Sequence, residues 1–132
     1  MAPWILFLFM GTMDFGFYAY SAVATENAAR AAVERTAIDI TTAGDSTTAC
    51  QYALAELKGM ANAHGQTTCA TSAGAVSSSQ PIAVVATQVA GIDGSLAAQV
   101  AVTYQATTMF LLPALPSQYT VTRTAQMRLR DQ

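Results

Sequence analysis

From Ala2 to Val23 the chain is apolar on every side of a helical wheel, with a single carboxylate, Asp14. Past that point the run becomes alanine-rich and charges enter: Glu26, Arg30, Glu34, Arg35 and Asp39. Glu26 precedes Arg30 by one helical turn, the favourable order for such a pair, and Pro3 suits a first turn, where its missing N–H is no loss. The pattern predicts one long helix over residues 1–40, with an apolar half at 1–23 and an amphipathic half at 24–40. At the usual rise per residue it is about 55 Å long. Thr41-Thr42-Ala43-Gly44-Asp45 is a break. Ser46 or Asp45 can cap a second helix running from Thr47 to about Ala63, with Cys50, Ala53, Leu54, Leu57 and Met60 or Ala61 on one stripe and Gly65 as its stop.

Period-two patterning then takes over. Gln66–Gln80 is rich in Ser, Thr and Gly and reads as a loop. Ile82 to Ala90 is β-branched and ends on the turn signal Gly91-Ile92-Asp93-Gly94. Leu96 to Thr107 alternates, and so does Tyr119 to Arg130, where Arg123 interrupts an otherwise apolar inward face. Between the last two strands lies Met109-Phe110-Leu111-Leu112-Pro113-Ala114-Leu115-Pro116, apolar and broken by proline. The expected architecture is α+β: a long helix, a short helix and a three-stranded antiparallel sheet, with residues 41–132 forming one small globular domain. A sheet this small needs a cover on one face, which the second helix and the amphipathic half of the first supply.

An all-round apolar helix needs apolar surroundings, and residues 1–23 are long enough to cross a hydrocarbon core. A cleaved signal peptide fits poorly, because no Lys or Arg precedes Arg30 and the helical pattern runs through every plausible cleavage point. Two readings remain open: a membrane anchor, and a segment that both enters a membrane and assembles. In 132 residues the hydrophobic fraction is 52% and the charged fraction 11%, less than half the charge of an ordinary soluble domain. The net charge of −2 gives no footprint for nucleic acid.

Candidate chemistry is sparse. Asp14-Phe15-Gly16 matches a kinase tripeptide in letters only, without a glycine-rich loop or catalytic loop. His64, the single histidine, has no metal-ligand or triad company. The aromatics Trp4, Phe7, Phe9, Phe15, Phe17, Tyr18 and Tyr20 read as packing. No enzyme, cofactor or metal site is expected. Cys50 and Cys69 read as a disulfide or as two buried thiols. A bridge is sterically open, since the second helix from Cys50 to Ala63 rises about 20 Å and the extended residues after it reach about as far back.

Pro3, Gly11, Asp14-Phe15-Gly16 and Glu26-Asn27-Ala28-Ala29-Arg30-Ala31-Ala32, with Leu111-Leu112-Pro113 and Tyr119–Arg128 at the other end, resemble TadE/TadG-like pseudopilins of the tight-adherence branch of the type IV pilus family. Family members carry a Glu several residues before the position of Pro3, near a prepilin-peptidase site, and no residue of this sequence corresponds to it. The resemblance implies a pilin-like fold and a structural subunit of an extracellular filament on a bacterial surface. That subunit is embedded in the inner membrane before assembly, serves as partner to copies of itself and to pilus assembly machinery, and offers a surface for host or other contacts. The implied assembly helix is carried by Pro3, Trp4, Phe7, Gly11, Asp14, Phe15, Gly16, Tyr18 and the small-residue face Ala24, Ala28 and Ala32. The competing expectation is a single-pass envelope component or adhesin module that never polymerises.

Overall fold

The computed structural model describes residues 2–108, 110 and 116–130. Its elements follow in the order α1 (Ala2–Thr36), α2 (Ser46–Leu57), β1 (Ile82–Ala90), β2 (Leu96–Thr107) and β3 (Gln118–Arg128). The three strands form an antiparallel sheet in the order β1-β2-β3. Tyr104 pairs with Ile82 on one side and Val121 on the other. The layout is the α+β, pilin-like one read from the sequence. Most of the connection between β2 and β3 lies outside the described residues.

Both helices end earlier than their periodicity suggests. α1 stops at Thr36, not at Ile40, because tertiary bonds claim the next carbonyls: the Thr42 hydroxyl donates to Thr36 O at 3.0 Å, and Arg130 N donates to Ala37 O at 3.0 Å. α2 stops at Leu57, not near Ala63. Gly59 is a poor helix residue, and beyond it Asn62 is pulled towards the sheet, its amide donating to Gln105 O at 2.6 Å and its carbonyl oxygen accepting from the Tyr104 hydroxyl. Gly65 has φ +81° but closes a run of turns, not the helix. The cap of α2 is Asp45, whose carboxylate accepts from Thr47 N at 2.9 Å. Ser46 instead ties the helix to the sheet by accepting from Ala86 N at 3.0 Å.

α1 covers β2 and β3, and α2 lies beside it over β1. The face α1 turns inward is built of small residues: Ser21, Thr25, Ala28, Ala29, Ala32, Val33 and Thr36 are all buried. Its hydroxyls are satisfied within the helix, Thr25 donating to Ser21 O at 2.7 Å and Thr36 to Ala32 O at 3.1 Å, so neither competes for partners across the seam. The alanine face packs inward, against the subunit's own domain. Ala28 and Ala32 have no exposed surface and Ala24 packs against the same core; the close approach they permit is to the subunit's own domain. Ala28→Leu must force extra methylenes into that seam, and a loss of about 1–3 kcal/mol is expected, read as a lower midpoint in thermal unfolding.

Cys50 and Cys69 are bonded, with Cα atoms 5.9 Å apart. The bridge fixes the start of the 66–80 segment, which then touches the sheet through a short parallel bridge between Ala70 and Ala83. Thr67, Thr68, Thr71, Ser72, Ser77, Ser78 and Ser79 beyond these ties are exposed, as the composition suggests.

Three turn aspartates give the domain an acid limit. The carboxyl of Asp45 is held below 3.8 by the hydroxyl of Thr48 and the backbone N–H of Thr47, that of Asp39 by the hydroxyl and N–H of Thr41, and that of Asp93 by the hydroxyl and N–H of Ser95. A depressed folded-state pKa adds stability that is full above the unfolded value and lost as pH falls through the folded one. Thermal unfolding midpoints should therefore hold between neutral pH and about pH 5 and drop progressively below 3.8. Asp45→Asn, which keeps an N-cap residue, should flatten part of that drop.

Candidate functional site

The sequence pattern leaves the N-terminal half of α1 without a cover, and among the described residues most of that half stays exposed. Trp4 is 73% exposed and Phe15 72%, and Ile5, Leu6, Phe7, Leu8 and Phe9 also face outward. The helix is long and apolar enough to cross a membrane, with 6% of its most apolar stretch buried in the molecule. A soluble core helix has the opposite burial. Pro3, Trp4 and Phe7 border a shallow open pocket of about 270 Å³ near the helix start. A Cβ placed on Gly11 or Gly16 would meet nothing within 4 Å among the described residues.

Asp14, Gly11, Phe15 and Tyr18 come together with residues far along the chain. They share a cavity of about 340 Å³ with Thr108, Pro116 and Tyr119. The Tyr18 and Tyr119 rings meet edge to face with centroids 5.0 Å apart, a favoured geometry that pins the start of β3 against α1. Both carboxylate oxygens of Asp14 are buried, and neither has a hydrogen-bond partner among the described residues. Burying a carboxylate with no hydrogen bond is costly.

Tyr119 completes the polar lining. Burial pushes its phenol up, the nearby Ser21 hydroxyl works the other way, and the Asp14 and Tyr18 side chains add a small upward push. The Ser21 hydroxyl is committed to Tyr18 O at 2.8 Å, and the Tyr119 hydroxyl makes no hydrogen bond of its own among the described residues. Deeper in the domain, burial raises the Tyr104 phenol to about 12. Tyr119 was legible as an inward position of its strand, but nothing in the sequence joins it to Asp14.

A second cluster lies further along α1. Glu26 and Arg30 form an ion pair at 2.6 Å, and with Val33, Glu34 and Arg123 they border an open groove of about 520 Å³ between α1 and β3. Arg123, which interrupts the inward face of β3, thus lies exposed at an open groove beside α1 and not in the core. Arg35 stacks over Tyr52, 5.3 Å from the ring centroid, and braces α1 on α2. Among the described residues, no group of three or more His, Cys, Asp or Glu side chains is arranged to hold a metal ion. His64 is an exposed residue of the turns after α2.

Residues 1–34 match the model of the family described as TadE-like protein. The matched segment is the apolar half of α1 and most of its packed half, including Asp14 and the Glu26–Arg30 pair. No curated protein and no solved structure matches the chain.

Proposed function

We propose that this chain, whose N-terminal segment is TadE-like, is a structural subunit of a pilus-like extracellular filament, assembled through the apolar half of α1. The observation that carries the reading is the combination of a largely exposed apolar helix with a buried carboxylate on its domain-facing side that has no hydrogen-bond partner among the described residues. Bundled with copies of itself, residues 2–20 exchange lipid for protein. That exchange yields little hydrophobic gain, so specificity comes from close packing and from polar pairing. Gly11 and Gly16 leave room for close approach, and Asp14 is the charged group available for registration. The inner membrane holds the subunit before assembly, pilus assembly machinery loads it, and the domains coat the surface, where the exposed Ser- and Thr-rich 66–80 segment meets other surfaces. The role is structural and not catalytic.

One observation favours a second reading. The alanine stripe of α1 is spent inside the subunit, which removes one argument for helix bundling and suits a single-pass envelope component that does not polymerise. Electron microscopy of material sheared from producing cells separates the two. Filaments containing this chain are expected, and chain recovered entirely in detergent-dispersed membrane, with no filaments, contradicts the proposal.

A further inference from the structure

The two edges of the sheet differ. β1 gives its outer edge to the rest of the domain: Ile82 O accepts from Ala70 N at 3.0 Å, Val84 N donates to Ala70 O at 2.9 Å, and Ala86 N donates to Ser46 Oγ at 3.0 Å. At the two ends of the β2–β3 ladder Thr108 N donates to Ser117 O and Leu129 N to Leu96 O. An antiparallel ladder alternates bonded and unbonded positions, so the odd-numbered residues of β3 bond to β2. Thr120, Thr122, Thr124 and Gln126 turn their N–H and C=O groups outward. These residues are exposed, and those backbone groups have no hydrogen-bond partner among the described residues. The edge opens into the groove between α1 and β3, which Thr124 and Gln126 border together with Arg123, Ala125 and Met127. Strand side chains alternate, so Thr124 and Gln126 point away from α1, and what they bring to the groove is the backbone edge. An open edge of this length is a template for another strand.

We infer that two copies of this chain pair side by side through β3, strand parallel to strand, while both are held in the membrane. The inference rests on the membrane-held stage of the proposed function, in which every α1 points the same way. β3 runs parallel to α1: Tyr119 meets Tyr18, Arg123 shares the groove with Glu26, and Arg130 reaches Ala37. Copies with parallel helices therefore offer one another parallel strands, and β1 already has its edge bonded within the domain. Joining β3 to β3 in this sense turns one sheet over relative to the other. The outward side chains of each copy, Thr120, Thr122, Thr124 and Gln126, then enter the groove of the other. That groove holds both signs of charge, on Glu26, Arg30, Glu34 and Arg123. Hydroxyls and amides suit it, because they donate to carboxylates and accept from guanidinium groups. Parallel strands bond on a slant, which sets Arg123 beside Thr124 of the other copy and not beside a second Arg123, where like charges repel. The two α1 helices lie on opposite faces of the joined sheet, so the apolar half of each stays free for bundling.

The test uses the full chain added to preformed phosphatidylcholine vesicles, so that the domains share one side. Arg123→Cys and Thr124→Cys chains, with the Cys50–Cys69 bridge kept, are mixed, oxidised with copper phenanthroline and mapped by peptide mass. Opposed residues on neighbouring strands lie about 4.8 Å apart, within reach of a disulfide. The mixture is expected to give a dimer bonded between positions 123 and 124 at least about tenfold above either variant alone, because identical positions fall on opposite faces of the joined sheet. Thr122→Pro removes an outward N–H and spares the ladder to β2, so it should lower that yield at least about fivefold. Amide exchange of the parent gives a reading that needs no variant: Thr122 and Thr124 N–H should exchange at least about tenfold more slowly at high chain density than at low. As much dimer from Arg123→Cys alone as from the mixture means antiparallel pairing or random collision and overturns the inference. Exchange independent of density, without the mixed bond, overturns it too. Filaments from producing cells without the mixed bond in vesicles overturn the inference alone. The mixed bond without filaments supports it and overturns the filament reading instead.

Discussion

Asp14→Ala is expected to abolish filament assembly while leaving the subunit folded and in the membrane. The carboxylate is buried without a hydrogen bond among the described residues, so its removal takes away a desolvation cost and breaks no hydrogen bond among them. The subunit should unfold at the same temperature or slightly higher. Across an assembly interface the balance reverses: a donor from a neighbouring copy that pairs with Asp14 in apolar surroundings is left bare, at a cost of several kcal/mol. Pelletable filaments should fall at least about tenfold, the effect of only 1.4 kcal/mol per contact, with chain accumulating in membranes. Asp14→Asn, which keeps the shape and part of the hydrogen bonding, should fall between the two. Normal assembly by Asp14→Ala removes this residue from the interface.

Loss of the disulfide is the second large effect. Cys50 and Cys69 are 19 residues apart, and closing a loop of this size stabilises a fold by roughly 3 kcal/mol in the chain-entropy model. A domain of this size shifts by about 4–8 °C per kcal/mol, so Cys50→Ala/Cys69→Ala should melt about 12–24 °C lower by circular dichroism. The bridge anchors the 66–80 segment, so hydrogen exchange should rise first there and at the Ala70–Ala83 bridge, and least in the β2–β3 pairing. A change of less than about 1 kcal/mol, the scale of one ordinary hydrogen bond, means that the surrounding packing and not the bridge holds the segment.

The strands were legible because each is a complete local signal. Ile82–Ala90 ends on Gly91-Ile92-Asp93-Gly94, where Gly94 takes φ +78°, and the alternation from Leu96 to Thr107 buries Ala98, Val100, Val102 and Tyr104, while Leu96 at its start is exposed. Helix ends were less legible, because distant side chains decide them. Asn62 leaves the helical path for Gln105 and Tyr104, and Thr36 ends α1 where Thr42 folds back on it. The alanine stripe shows the limit of pattern reading. Small residues at helical spacing say that something comes close; they do not say whether it is a neighbour or the chain's own sheet. The meeting of Asp14 with Tyr119 depends on a strand laid parallel to a helix a hundred residues earlier, and no local pattern encodes it.

The most direct measurement of the central claim is a helical reconstruction of the filament by electron cryomicroscopy. The account predicts residues 2–20 of neighbouring copies packed against one another along the axis, with Asp14 within hydrogen-bonding distance of a donor from another copy and the sheet on the outside. A filament held together by contacts between the sheets, with α1 making none, contradicts it.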